Sequence, residues 1–194
     1  DTDGGGTSDA VEIALGLDPL NPSDDDSGGG GGTKIGINFI SDRGTDAELG
    51  ADQIAGFPEV AQLNWNNSAG GGNAQAGANG SQGDIISPVS GVIVDDTGGD
   101  SGVTVDWTSN GTWNTNNGFE SPDAKLMNGY IDNIGGGGFA TVDFQGIPYS
   151  SYDVYVYFGS DGNGRTGSVE STTAGQIFSY TTDSQKGGFD PELD

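Results

Sequence analysis

From Thr33 onward the chain alternates apolar and polar residues with a period of two. Ile35, Ile37 and Phe39 alternate with Gly36 and Asn38, which predicts a half-buried strand because successive side chains leave opposite faces of an extended backbone. Residues 60–67 predict a second strand with Leu63 and Trp65 on one face. Strand patterns return at 89–94, 103–107, 139–144, 152–158, 167–172 and 176–181, separated by turns rich in Asp, Gly and Asn. Many short strands at that spacing predict an all-β fold, an antiparallel β-sandwich or jelly roll. The strongest run is 152–158, where Tyr152, Val154, Val156 and Phe158 share one parity and are assigned to the core. Asp153, Tyr155 and Tyr157 are left to a second layer or to solvent. The stretch 160–165, with Gly162 and Gly164, predicts its hairpin turn. Residues 68–83 offer almost nothing to bury and predict a long exposed loop.

The first 32 residues do not share this pattern. They carry eight acids and no base and end in the glycine run 28–32, a flexible tether by composition. The expected organisation is therefore a calcium-binding loop-helix segment with its tether at 1–32, a β-sandwich domain at 33–183 and an acidic C-terminal tail at 184–194. Residues 1–12 fit the twelve-position calcium loop, which takes oxygens from positions 1, 3, 5, 7, 9 and 12 and turns at a glycine in position 6. Asp1, Asp3 and Asp9 occupy carboxylate positions, Thr7 the backbone-carbonyl position, Glu12 the closing bidentate position and Gly6 the turn. Gly5 supplies no side-chain oxygen. Asp9 and Glu12 also suit a helix N-cap and its capping-box partner. The two roles are compatible, because the last ligand of such a loop lies on the first turn of the exiting helix. Val11, Ile13, Ala14, Leu15 and Leu17 give that helix a short apolar stripe, which Gly16 and Asp18-Pro19 then end.

These residues, with the Leu-Gly-Leu-Asp-Pro exit and the second acidic cluster at Asp24, Asp25 and Asp26, resemble the thrombospondin type 3-like calcium repeats of secreted bacterial proteins and, more loosely, the dockerin loop. The resemblance covers about residues 1–31 and implies Ca²⁺ ligands at Asp24 and Asp26 as well. Gly5, Gly28 and Gly30 stand where that pattern carries Asp, which weakens the first loop and makes the second a poor site. The order Ile37-Asn38-Phe39, 63–67, Thr112-Trp113, 123–130 and 152–157 resembles an uncharacterised domain of secreted bacterial surface proteins, which implies location and fold class and no activity.

Composition qualifies the picture. Leu, Ile, Val and Phe make up just under a fifth of the chain and the formal charge is −24, a combination typical of disorder. Strand periodicity argues instead for a lean folded β protein whose self-repulsion is relieved by bound cations. With only Lys34, Arg43, Lys125, Arg165 and Lys186 positive, nucleic acid and anionic membranes are improbable partners. The chain has no Cys, so metal would replace disulfides as the staple. The reduced ligand set suits the millimolar affinities of extracellular calcium modules, which points to the extracellular space or the cell surface. No initiator Met, signal peptide or membrane-spanning run occurs, so the sequence is read as a mature product or an excerpt.

Absence of His and Cys removes thiol nucleophiles, imidazole bases and the usual Zn²⁺ ligands. Catalysis would rest on carboxylates such as Asp106, Glu120, Asp123 and Asp132, and nothing in the spacing pairs any two of them; the chain is read as not an enzyme. Trp65, Trp107, Trp113 and Tyr130 could stack on sugars. Trp65 and Trp107 have core parity, which leaves Trp113 and Tyr130 as the candidate residues of a calcium-dependent carbohydrate-binding or adhesion module. The favoured expectation is a non-enzymatic structural protein, a subunit of a surface fibre, filament or layer. In it the acidic tail of one copy would complete the Ca²⁺ shell at Asp1 and Asp3 of the next, a head-to-tail contact that does not close on itself. Expected partners are copies of the chain itself and polysaccharide, without membrane insertion. Asn66, Asn79 and Asn110 each begin a glycosylation sequon.

Overall fold

The computed structural model describes residues 2, 9, 13, 18–21, 34–40, 44–69, 84–86, 92–109, 111–115, 118–132, 140–160 and 162–182. Its central sheet has the order β1 (Ile37–Asn38), β2 (Asn66–Ala69), β3 (Asp84–Ile86). Strand β2 runs antiparallel to β3 but parallel to β1, with Ile37 opposite Asn66 and Asn38 opposite Asn67. The expected all-antiparallel arrangement is corrected at this pairing. A parallel pair needs a crossover, and residues 39–65 provide it through 3₁₀ turns at Gly44–Ala47 and Pro58–Val60.

Three antiparallel ribbons follow: β4 (Thr104–Thr108) with β7 (Thr141–Gln145), β5 (Gly111–Asn114) with β6 (Gly129–Asp132), and β8 (Thr166–Ser171) with β9 (Gln176–Thr181). Between β5 and β6 lies a five-residue helix, α1 (Pro122–Leu126). Ser121 caps it by accepting the Ala124 amide, Pro122 fits the first turn where no donor is needed, and Ala124 and Leu126 face inward. The fold is mainly β with little helix, and its sheets are small.

The apolar cluster joins Leu49, Ala55, Trp65 and Leu126, with Tyr157 packed against it. Trp65 lies across Gly36, where an added Cβ would come within 2.6 Å of the indole ring. Its Nε1–H reaches the carbonyls of Ala55 and Gln62, each at 3.1 Å. Trp107 is buried on β4 with Phe39 edge-on to it at 5.5 Å. Both indoles are buried, as expected, Trp107 from a strand and Trp65 from the residue just before one.

Two strand expectations need correction. Residues 60–65 are not a strand: Gln62 makes an isolated bridge to Ala55, and the ladder begins only at Asn66. Residues 152–158 form no ladder, and neither parity is buried: 152–156 are exposed on both, and only Tyr157 and Phe158 are half-buried. Tyr152, Val154 and Val156 are exposed, while Tyr157 holds the inward place because its hydroxyl accepts the Phe57 amide at 3.1 Å and its ring meets Trp65 edge-on. Alternation identifies an extended backbone; a partner strand is what makes it a core strand. Of the predicted strand 89–94, residues 89–91 lie outside the described residues, and among 92–94 Val94 forms an isolated bridge to Asp100.

Much of what binds these pieces is buried amide. Adjacent side chains of β2 leave opposite faces, and Asn66 and Asn67 each grip a loop backbone on their own side. Asn66 donates to Val94 O at 2.8 Å and accepts Val94 N at 2.9 Å, with a further bond to Gly36 O. Asn67 donates to Leu49 O and accepts Leu49 N, both at 3.0 Å, and also accepts from Asn38 Nδ2. A side-chain amide presents the same donor and acceptor as a peptide group. Each asparagine therefore pairs with a loop residue as a neighbouring strand would. Asn66 has 0 % exposure, so its sequon is closed to a glycan in the folded chain. Asn79 and Asn110 lie outside the described residues.

Candidate functional sites

The proposed calcium loop falls mostly beyond the described residues: Asp1, Asp3, Thr7, Glu12, Asp24 and Asp26 lie outside them, as do Gly5, Gly28 and Gly30. Asp9 is described, and it is helical, as is Ile13, which fits the ninth position of a loop that runs into a helix. Its carboxylate takes the Thr2 amide at 2.7 Å and the Thr2 hydroxyl at 2.5 Å. Foremost the Thr2 hydroxyl, and with it the Thr2 amide, lowers the Asp9 pKa to about 2. A lowered carboxylate pKa means an interaction present above the ordinary value and lost only as pH falls through the folded one. In an NMR titration the Asp9 carboxyl carbon is expected to show its midpoint near 2, and a midpoint close to 4, the ordinary carboxylate value, would contradict the contact. Among the described residues, no group of three or more acidic side chains is placed to hold a metal ion.

Trp113 and Tyr130, five-residue helix and all between them, come together. They are direct partners in the β5–β6 ladder, and partners of this kind hold their Cβ atoms about 4.5–5.5 Å apart on one face. The opposite face of the ribbon carries Thr112 and Asn114, both buried. Two residues beyond Tyr130, Asp132 returns to the aromatic face. Both rings are half-buried, so Trp113 is less exposed than its polar neighbours suggest. The arrangement offers two ring faces and a nearby carboxylate acceptor.

The four candidate acids are dispersed. Asp123 accepts the Gly56 amide at 3.0 Å and ties α1 to the 55–62 loop. Glu120 is exposed beside α1, and Asp132 lies on β6. Asp106 faces Asp143, a residue that sequence reasoning did not single out, across the β4–β7 ladder. Both are exposed, and a like-charge pair directly opposed on a ribbon is destabilising. On the β8–β9 ribbon, a shallow hollow of about 470 Å³ is lined by Thr166, Gly167, Ser168, Ser179, Tyr180 and Thr181.

Sequence reasoning also passed over the turn that follows Val94. Asp95 Oδ1 accepts Thr97 N, Thr97 Oγ1 and Gly99 N, which closes the turn on itself. Burial raises the pKa of the neighbouring Asp96, against the bond it receives from the Lys34 amide. Among the described residues no helix is long and apolar enough to cross a membrane. Comparison of the chain with family models, with curated proteins and with solved structures gave no match.

Proposed function

We propose that this chain is a non-enzymatic extracellular structural protein, a calcium-stabilised subunit of a surface fibre, filament or layer assembled head to tail on a β-sandwich or jelly-roll domain. The observation that carries the reading is the state of residues 140–182. No large apolar side chain there is buried among the described residues, yet Phe144, Tyr152, Val154, Tyr155, Val156, Ile177 and Phe178 are exposed. Seven exposed large apolar side chains within 140–182 of an otherwise polar chain, with none buried there, favour an interaction surface in this part of the molecule. Calcium supports the reading through the spacing of Asp1, Asp3, Thr7, Asp9 and Glu12 and through the net charge of −24, which opposes association of copies unless cations intervene. Light scattering of the purified chain in Ca²⁺ should give a mass that grows with concentration. A mass that stays at one chain across the whole range removes the proposal.

A second reading is a calcium-dependent carbohydrate-binding or adhesion module, favoured by the cross-strand pairing of Trp113 with Tyr130. On a glycan array it expects binding that Trp113→Ala abolishes. Binding that Trp113→Ala leaves intact would remove it.

A further inference from the structure

Two features of residues 140–182 complement each other. The segment 152–156 alternates in sequence and belongs to no ladder. The ribbon β8–β9 has two strands, so among the described residues each keeps one edge without a partner strand. A backbone edge of this kind is a template for another strand, and a two-stranded ribbon alone is marginal in water. Val154 is 68 % exposed and Ile177 64 % exposed, so both elements present apolar side chains as well as backbone groups. Of the stretches outside the described residues, 22–33 and 70–83 contain no Val, Ile, Leu, Met, Phe, Tyr or Trp, 183–194 only Phe189 and Leu193, and the rest of their apolar side chains are few, chiefly Val11, Leu15, Leu17, Ile134 and Phe139.

Charge selects the edge. Strand β9 (Gln176–Thr181) has no acidic or basic residue, whereas β8 carries Glu170, and the 152–156 segment has Asp153 alone. In a chain of charge −24, β9 is the strand of this ribbon that a second copy can approach with less repulsion.

We infer that copies of this chain join by strand addition, residues 152–156 of one copy pairing with the unpartnered edge of β9 in the next. The inference rests on the structural-subunit reading and names its contact surface. Pairing β9 with β9 about a twofold axis would satisfy one edge and leave 152–156 uncovered. Pairing 152–156 with β9 satisfies both sets of backbone groups. The contact is heterologous, so it extends into a filament.

The chain has no cysteine, which makes crosslinking a clean test. Val154→Cys protein is mixed, under mild oxidation and with Ca²⁺ present, with Ile177→Cys or with Phe178→Cys, two acceptors that lie on opposite faces of β9. A disulfide between differently labelled variants is then necessarily intermolecular, and all three positions are exposed enough that the substitutions leave the fold intact. The expected result is a mixed dimer that outnumbers either homodimer in one of the two mixtures. Dominant Ile177→Cys or Phe178→Cys homodimers would overturn the inference in favour of twofold pairing. Assembly in light scattering with no crosslink in either mixture would overturn it while leaving the structural-subunit reading intact. A chain that stays monomeric under every condition would remove both.

Discussion

Asn66→Ala or Asn67→Ala is expected to lower the stability of the fold by about 3–5 kcal/mol, and so to shift the thermal midpoint downward by on the order of 10 °C. Each substitution strands a buried peptide N–H and C=O together. For Asn66 the orphaned groups belong to Val94, and for Asn67 to Leu49; both residues are almost wholly buried. An unsatisfied buried donor or acceptor costs about 1–3 kcal/mol, so two of them outweigh the gain from removing the amide. Asn66→Asp and Asn67→Asp should be at least as damaging, because each loses the donor and leaves a buried charge. Thr104→Ala, at an exposed place on β4, should stay within about 0.5 kcal/mol. Chemical denaturation of the five variants checks the ranking, and asparagine variants as stable as Thr104→Ala would show that the amides do not hold the loops.

The other large effect is expected at Gly129, the first residue of β6. A Cβ there would come within 2.6 Å of the Ile40 carbonyl carbon and closer still to the Phe39 carbonyl oxygen. These are backbone atoms, which cannot swing aside as a side chain can, so Gly129→Ala forces β6 away from the Phe39–Ile40 backbone that follows β1, at a loss of about 3 kcal/mol. Gly102 gives the contrast. It has φ +69 with nothing within 4 Å of its would-be Cβ, so Gly102→Ala should lose only the left-handed penalty of about 1–2 kcal/mol. Denaturation midpoints for the two variants in the reverse order would contradict the close crossing.

What could be read from the chain and what could not divide along the range of the interactions. Strands β8 and β9 were placed within a residue, because alternation and the Gly-bearing turns around them are local signals. Trp65 and Trp107 went to the core on parity alone. The amide pairs of Asn66 and Asn67 were not legible, since their partners Val94 and Leu49 lie 28 and 18 residues away, and an asparagine in a strand looks the same whether it faces water or a loop backbone. The parallel β1–β2 pairing escaped for the same reason. In 152–158 the alternation is legible, but the one hydroxyl that turns inward, that of Tyr157, does so toward the Phe57 amide, 100 residues away. Trp113 and Tyr130 were each identifiable, yet their register across β5 and β6 was not. The calcium loop is the reverse case: its spacing is plain in the sequence, and of its proposed ligands the structure describes Asp9 alone.

Divalent cations between negative groups are central to the proposed function, and thermal melting in Ca²⁺ and in EGTA tests their role most directly. Extracellular calcium modules bind in the range of about 0.1–1 mM. At about 10 mM Ca²⁺ a single such site adds about 1.4–2.7 kcal/mol, and a midpoint roughly 3–10 °C higher than in EGTA is therefore predicted. Identical melting temperatures in the two solutions would contradict it.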